Sequence, residues 1–199
     1  CDWSSDVCSS DLLTFQGPST IKTFRTHPES HVKWATHHQG LGTFWADAPR
    51  GRILVSHEMT TGAVSRAGIT LVSPAFAALT LTPLDNRPLD QSAQILITAC
   101  GRCENREMRF SPNRETVGRN WGIPPVEIEP VTGTVLLPPG DWNCRALRPD
   151  GTPGTEIPLE RNADGSSLLA LSPTHQTMWY WAARKIGRAS CRERVYHPV

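Results

Sequence analysis

Four groups of residues have types and spacings that could carry chemistry. Cys100-Gly101-Arg102-Cys103 is a C-x-x-C, a spacing that serves as half of a zinc site or as a redox pair. A zinc ribbon needs a second such pair, and here only Cys144 and scattered histidines remain. The thioredoxin-like reading needs a βαβ context that is absent, so two incidental thiols are expected. His37-His38, with His27 and His31 nearby, could form a metal tract. Adjacent residues of an extended chain point to opposite faces, so one ion rarely takes both, and a solvated loop is expected. No metal and no cofactor is therefore assigned. Glycoside hydrolysis takes two carboxyl groups, and Glu127 and Glu129 would stand on one face of a strand, about 6–7 Å apart. Their alternation with Val126 and Ile128 makes that a solvent face. The chain has no G-x-S-x-G elbow, H-E-x-x-H pair or phosphate-cradling glycine loop, so no catalytic residue is assigned.

Tryptophan is the fourth group. Indole faces stack on the C–H faces of sugars, and they also anchor sandwich cores and domain interfaces. Trp34, Trp45, Trp179 and Trp181 are the candidates for a carbohydrate or interdomain contact; Trp121 and Trp142 complete the set in the central part of the chain. Trp179-Tyr180-Trp181 on one strand must split between two faces, so at least one of them should point outward.

The composition limits what can hold these residues. A chain of 199 residues with 38% hydrophobic and 20% charged side chains has enough apolar material for a packed domain. No apolar run approaches the roughly 18 residues of a membrane helix. A net charge of +1 supplies no basic field for nucleic acid. Seventeen Pro and fifteen Gly cut the chain into short segments, which excludes a helix bundle.

The two ends read as foreign. A coding strand TGC-TCT-TCC-GAT-CTT would give Cys8-Ser9-Ser10-Asp11-Leu12, and its reverse complement AAG-ATC-GGA-AGA-GCA reads Lys185-Ile186-Gly187-Arg188-Ala189. One oligonucleotide read in opposite senses accounts for both, and both resemble translated adapters of sequencing libraries. Residues 1–12 and 185–199 are expected to be such tails, with 13–29 a linker or the remnant of a preceding domain. Residues 30–184 are expected to form the domain proper, a piece of a longer gene. Cys100, Cys103 and Cys144 are the cysteines left inside it.

Within 30–184 the pattern is of short β-prone runs between turns. The runs are Gly51 to Ser56, Gly68 to Ser73, Ala75 to Pro83, Ser92 to Ala99, Pro125 to Pro130, Gly133 to Leu137, Trp142 to Leu147, Ser166 to Leu171 and Thr177 to Trp181. Between them lie Asp85-Asn86-Arg87-Pro88, Pro138-Pro139-Gly140-Asp141, Pro149-Asp150-Gly151 and Asn162-Ala163-Asp164-Gly165, whose residues suit turns. Roughly nine to twelve strands at this spacing predict an all-β antiparallel domain, a sandwich or jelly roll with little or no helix.

A family resemblance runs through the same region. Leu84-Asp85, Pro88-Leu89, Ser92, Leu96-Ile97-Thr98-Ala99, Gly101-Arg102 and Asn105 form one block. Trp121-Gly122, Pro125, Glu129-Pro130-Val131 and Gly133 form a second, and Thr177 with Trp179-Tyr180 a third. Upstream stand Trp34, Gly42, Asp47 and Pro49-Arg50. Together they resemble the C-terminal β-rich region of large bacterial glycoside hydrolase-like proteins, in which a (β/α)8 barrel precedes a β-sandwich. The resemblance implies a non-catalytic accessory domain that braces the barrel, since the catalytic carboxylates belong to the barrel. It implies the upstream barrel of the same parent chain as partner, polysaccharide as a further one, and a secreted or periplasmic parent, while the composition already argues against nucleic acid and membrane as partners. An independent carbohydrate-binding or adhesion module is the alternative, and a free-standing enzyme on the sandwich a third. Arg102 and Asn105 are expected to hydrogen-bond backbone at a corner, and Trp121-Gly122 to sit in a packed loop.

Overall fold

A computed structural model describes residues 22–25, 31–36, 42–57 and 62–185, with 22–25, 34 and 36 described by backbone only. Strands are numbered along the chain. The larger sheet has nine strands in the order β1 (Lys22–Arg25), β2 (Val32–Thr36), β3 (Gly42–Ala48), β4 (Gly51–Ser56), β7 (Ala77–Pro83), β8 (Gln94–Cys100), β16 (Trp179–Arg184), β12 (Trp142–Leu147) and β13 (Pro153–Ile157). The smaller has five, in the order β14 (Leu159–Arg161), β15 (Ser167–Leu171), β11 (Thr132–Leu137), β6 (Ile69–Ser73) and β5 (Val64–Arg66). β9 (Cys103–Arg106) and β10 (Ile123–Ile128) form a separate two-stranded ribbon. The paired neighbours run antiparallel, as in β7 with β8 and β11 with β15. Among the described residues the helical content is one 3-10 turn, Pro173–His175. The all-β sandwich predicted from the turn-and-strand pattern is the fold.

Alternation explains how the sheets meet. In β8, Ile95, Ile97 and Ala99 are buried while Leu96 and Thr98 are half-buried on the other face. The same period puts Leu79 and Leu81 of β7, Tyr180 and Ala182 of β16, and Trp142 and Cys144 of β12 on the inner side. Ile69 and Leu71, Val135 and Leu137, and Leu169 and Leu171 answer them from the smaller sheet, and all belong to one apolar cluster. Burying each Leu or Ile contributes about 1.5–3 kcal/mol, so this shared core holds the two layers together. Burial also pushes the Cys144 thiol up to about 12, which keeps it neutral within the core.

The turn residues act as the sequence suggests. Asp85 accepts hydrogen bonds from the Ser92 hydroxyl at 2.8 Å and the Ala93 N–H at 2.7 Å, closing the β7–β8 connection. Asn86 takes a φ of 60° there, a left-handed value that Asn tolerates. Asp150 and Asp164 do the same work for Thr152 and Ser166, each accepting from a backbone N–H at 2.9 Å and from the hydroxyl.

Two expectations are corrected, the strand count and the place of Trp121. Among the described residues sixteen strands appear where nine to twelve were expected; the added ones have three to five residues, apart from the seven-residue β3. Within segment 13–29, expected to be a linker or the remnant of a preceding domain, Lys22–Arg25 forms β1, which pairs with β2 along the edge of the larger sheet. Trp121, expected in a packed loop, is 62% exposed. Lys185 also belongs with the fold: its N–H donates to the Asp141 carbonyl at 2.8 Å and its ammonium lies 3.6 Å from the Asp141 carboxylate. The remainder of both tails lies outside the described residues, as do His27, His37 and His38.

Candidate functional site

The four candidate tryptophans fall into different environments. Trp45 pairs in register with Leu54, which is fully buried, so its side chain turns toward the smaller sheet. There it packs against the core, and the Arg66 guanidinium of β5 lies 5.1 Å above its ring. Trp34 stands opposite Phe44 in the β2–β3 register, and its side chain lies outside the described residues. Trp179 and Trp181 flank the inward Tyr180 and therefore share the outer face of the larger sheet. The Trp181 Nε1–H donates to Gln94 Oε1 at 3.2 Å, which fixes the edge of that indole.

Outward residues follow from the ladder pairs Phe44–Val55, Val55–Ala78, Ala46–Ile53, Ile53–Thr80, Thr80–Thr98, Thr98–Trp179 and Leu96–Trp181. Across β3, β4, β7, β8 and β16 this face contains no charged side chain. Charge returns at the β12–β13 edge, where Arg145 and Glu156 pair at 3.4 Å. Of the other two sheets, the five-stranded one covers the opposite face, while the β9–β10 ribbon stands at one end.

At that end the face runs into a pocket of about 570 Å3. Trp179 and Leu147 bring the outer face into its wall, Val126 and Ile128 of the ribbon form the opposite side, and Glu129, Ser172, Gln176, Thr177 and Tyr180 are its polar members. Thr177 is positioned by its hydroxyl, which donates to the Leu147 carbonyl at 2.8 Å and accepts from the Trp179 N–H at 3.0 Å. Behind the wall, His175 Nδ1 lies 3.2 Å from the Tyr180 hydroxyl. Burial holds the His175 imidazolium below its usual range and pushes the Tyr180 phenol up to about 12.

The carboxylates singled out by spacing have separate partners. Glu127 pairs with the Arg106 guanidinium across the ribbon at 3.1 Å, and Glu129 accepts from the Arg102 N–H at 3.4 Å. Asn105 meets its expectation by donating to the Trp121 carbonyl at 2.9 Å. Arg102 departs from its own: its guanidinium reaches the His57 ring at 3.3 Å rather than backbone. The thiols of Cys100 and Cys103 are 3.4 Å apart. Among the described residues no group of three or more His, Cys, Asp or Glu is arranged to hold a metal ion.

Arg184 is a residue that spacing did not single out. Its guanidinium donates to the carbonyls of Ser92 at 2.8 Å, Pro139 at 3.0 Å and Asp90 at 2.6 Å, and lies 4.6 Å above the Trp142 ring. Comparison with protein-family models, with curated proteins and with solved structures gives no match. What the chain does is therefore argued from its own surface.

Proposed function

We propose that the chain is a non-catalytic accessory domain of a multidomain glycoside hydrolase, whose larger sheet docks on an upstream (β/α)8 barrel of the same parent protein. The observation that carries the docking is the charge-free outer face of β3, β4, β7, β8 and β16. An antiparallel sheet covered on one side ordinarily turns polar residues to water on the other. Here Phe44, Ile53, Val55, Leu96, Trp179 and Trp181 stand there, and the polar members, Thr80, Thr82, Thr98 and Gln94, are all uncharged. Five strands at about 4.8 Å spacing and six residues at about 3.4 Å rise give a face of roughly 500 Å2. With the partner's matching surface, the contact reaches roughly 1,000 Å2, within the usual interdomain range of about 600–1,500 Å2. The nature of the partner rests on the family resemblance of the Asp85–Asn105, Trp121–Gly133 and Thr177–Tyr180 blocks.

A second reading, an independent carbohydrate-binding module, is favoured by one specific observation. Trp179 and Trp181 are two residues apart on one face, about 7 Å at the strand rise, with the Trp181 indole held by Gln94. Sedimentation velocity under reducing conditions separates the two. As an uncovered docking face, the isolated chain should associate with rising concentration, and Leu96→Glu should restore the monomer. A monodisperse wild-type monomer would count against docking. Retardation in gels containing soluble polysaccharide, lost in Trp181→Ala, would favour the module. Turnover of an aryl glycoside that Glu127→Gln or Glu129→Gln abolishes would overturn both readings.

A further inference from the structure

The elbow between β8 and β9 gathers two thiols on one carbonyl. Cys100 closes β8 and Cys103 opens β9, and their sulfurs are 3.4 Å apart without a bond between them. The Gly101 carbonyl accepts from Cys100 Sγ at 3.2 Å, with Cys103 Sγ at 3.9 Å from the same oxygen. The elbow is held in place from behind: a Cβ on Gly101 would lie 2.6 Å from the Glu129 carbonyl oxygen and 2.8 Å from its Cβ. The Glu129 N–H in turn donates to the Arg102 carbonyl at 2.9 Å. The fold thus fixes the connection and leaves the two sulfurs facing each other. A disulfide bond length of about 2.05 Å needs an approach of roughly 1.4 Å, within the reach of side-chain torsions.

We propose that Cys100 and Cys103 are a dithiol site that exchanges with low-molecular-weight disulfides to form an intramolecular bond across the β8–β9 elbow. Cys103 is exposed and Cys100 half-buried, which sets the order of events. The Cys103 thiolate attacks the small disulfide, forming a mixed disulfide and releasing one small thiolate, which takes up a proton as a thiol. Cys100 then loses its proton to solvent, attacks the Cys103 sulfur and expels the second small thiol. Two protein thiols are oxidised, and one small disulfide is reduced to two thiols. Burial first, then the neighbouring Cys103, pushes the Cys100 thiol up to about 11, consistent with its acting second, at close range. Cys144 is buried in the core and takes no part.

The bond would restrain the ribbon. The β9–β10 ribbon projects from the Gly101-Arg102 elbow, and through Val126 and Ile128 it forms one side of the pocket. Oxidation tethers the first residue of the ribbon to the sandwich, so the mobility of that side of the pocket depends on the thiol state.

Arg102 makes the test specific, because trypsin cleaves between the two cysteines. The full chain is equilibrated in mixtures of reduced and oxidised glutathione, alkylated and digested. In the folded protein the peptide ending at Arg102 should remain disulfide-linked to Cys103-Glu104-Asn105-Arg106. The equilibrium constant for that linkage should exceed the value in urea-unfolded chain at least tenfold, equivalent by linkage to about 1.4 kcal/mol of added stability. Amide exchange in β9 and β10 should slow when the link is present. Cys103→Ser should abolish the linked peptide and Cys144→Ser should leave it unchanged. A folded-to-unfolded ratio below tenfold, or Cys103 recovered as its glutathione adduct with Cys100 still free, would overturn the proposal.

Discussion

His175 and Tyr180 show how burial at single residues becomes a dependence on pH. The imidazole leans edge-on against the phenol ring, with centroids 5.6 Å apart, and its Nδ1 meets the hydroxyl at 3.2 Å. Because burial lowers the folded pKa of His175, the unfolded chain binds a proton in a window where the folded chain does not. That window extends downward from about 6.5, the ordinary histidine value, and stability falls as pH falls through it. The melting temperature should therefore decline between neutrality and about pH 5, before the Asp85, Asp150 and Asp164 carboxylates, held below 3.8 by hydrogen bonds, are protonated. Thermal melts at stepped pH check this, and His175→Gln, which can still bond the Tyr180 hydroxyl, should flatten the decline. An unchanged slope in the variant would assign the decline to other groups. At the alkaline end the sign reverses. Cys144 and Tyr180 both reach about 12 in the fold, so stability is lost as pH rises above their ordinary values toward that level.

At the scale of elements, the Arg184 side chain at the end of β16 joins two connections that are far apart in sequence. Its three carbonyl acceptors lie in the β7–β8 connection, at Asp90 and Ser92, and in the β11–β12 connection, at Pro139. Gly140 leaves the space: an added Cβ there would collide with the Arg184 guanidinium. Arg184→Ala should lower unfolding stability by about 2–4 kcal/mol, and Arg184→Lys should recover less than half, because one ammonium cannot span three carbonyls in a planar fork. Urea titration measures both, with an unchanged slope showing that the fold itself is retained. This clasp was not legible in the sequence, since its partners lie 45 to 94 residues away. What was legible was local. β4 and β12 appear with the bounds their β-prone runs between turns suggested, and Asp85, Asp150 and Asp164 act at the turns their types suggested. β9, β13 and β14 went unread because Cys-Glu-Asn-Arg, Pro-Gly-Thr-Glu-Ile and Leu-Glu-Arg lack an apolar period. The split of Trp179 and Trp181 from Tyr180 followed from alternation. The inward turn of Trp45 needed the Leu54 register, which neighbouring strands set.

For the whole molecule, the position of β16 matters more than its length. β1 is an edge strand with one neighbour, whereas β16 lies between β8 and β12 in the interior of the nine-stranded sheet. A chain beginning at residue 31 should keep a single cooperative unfolding transition, because it removes one edge. A chain ending at Gln176 should lose near-ultraviolet circular dichroism and precipitate, because it leaves β8 and β12 as two open interior edges. Solubility and spectra of the two truncations check this, and a soluble, cooperative chain ending at Gln176 would contradict it. The same placement bears on manufacture by the ribosome. Once Leu147 has been added, the nine-stranded sheet cannot yet close, because β16 is missing between β8 and β12, and residues 148–184 take about 2–7 s at roughly 5–20 residues per second. Throughout that interval the nascent chain carries unpaired strand edges and apolar faces. Vectorial, strand-by-strand folding is closed to it: the larger sheet becomes continuous only when the last strand of the chain slots between two made long before it.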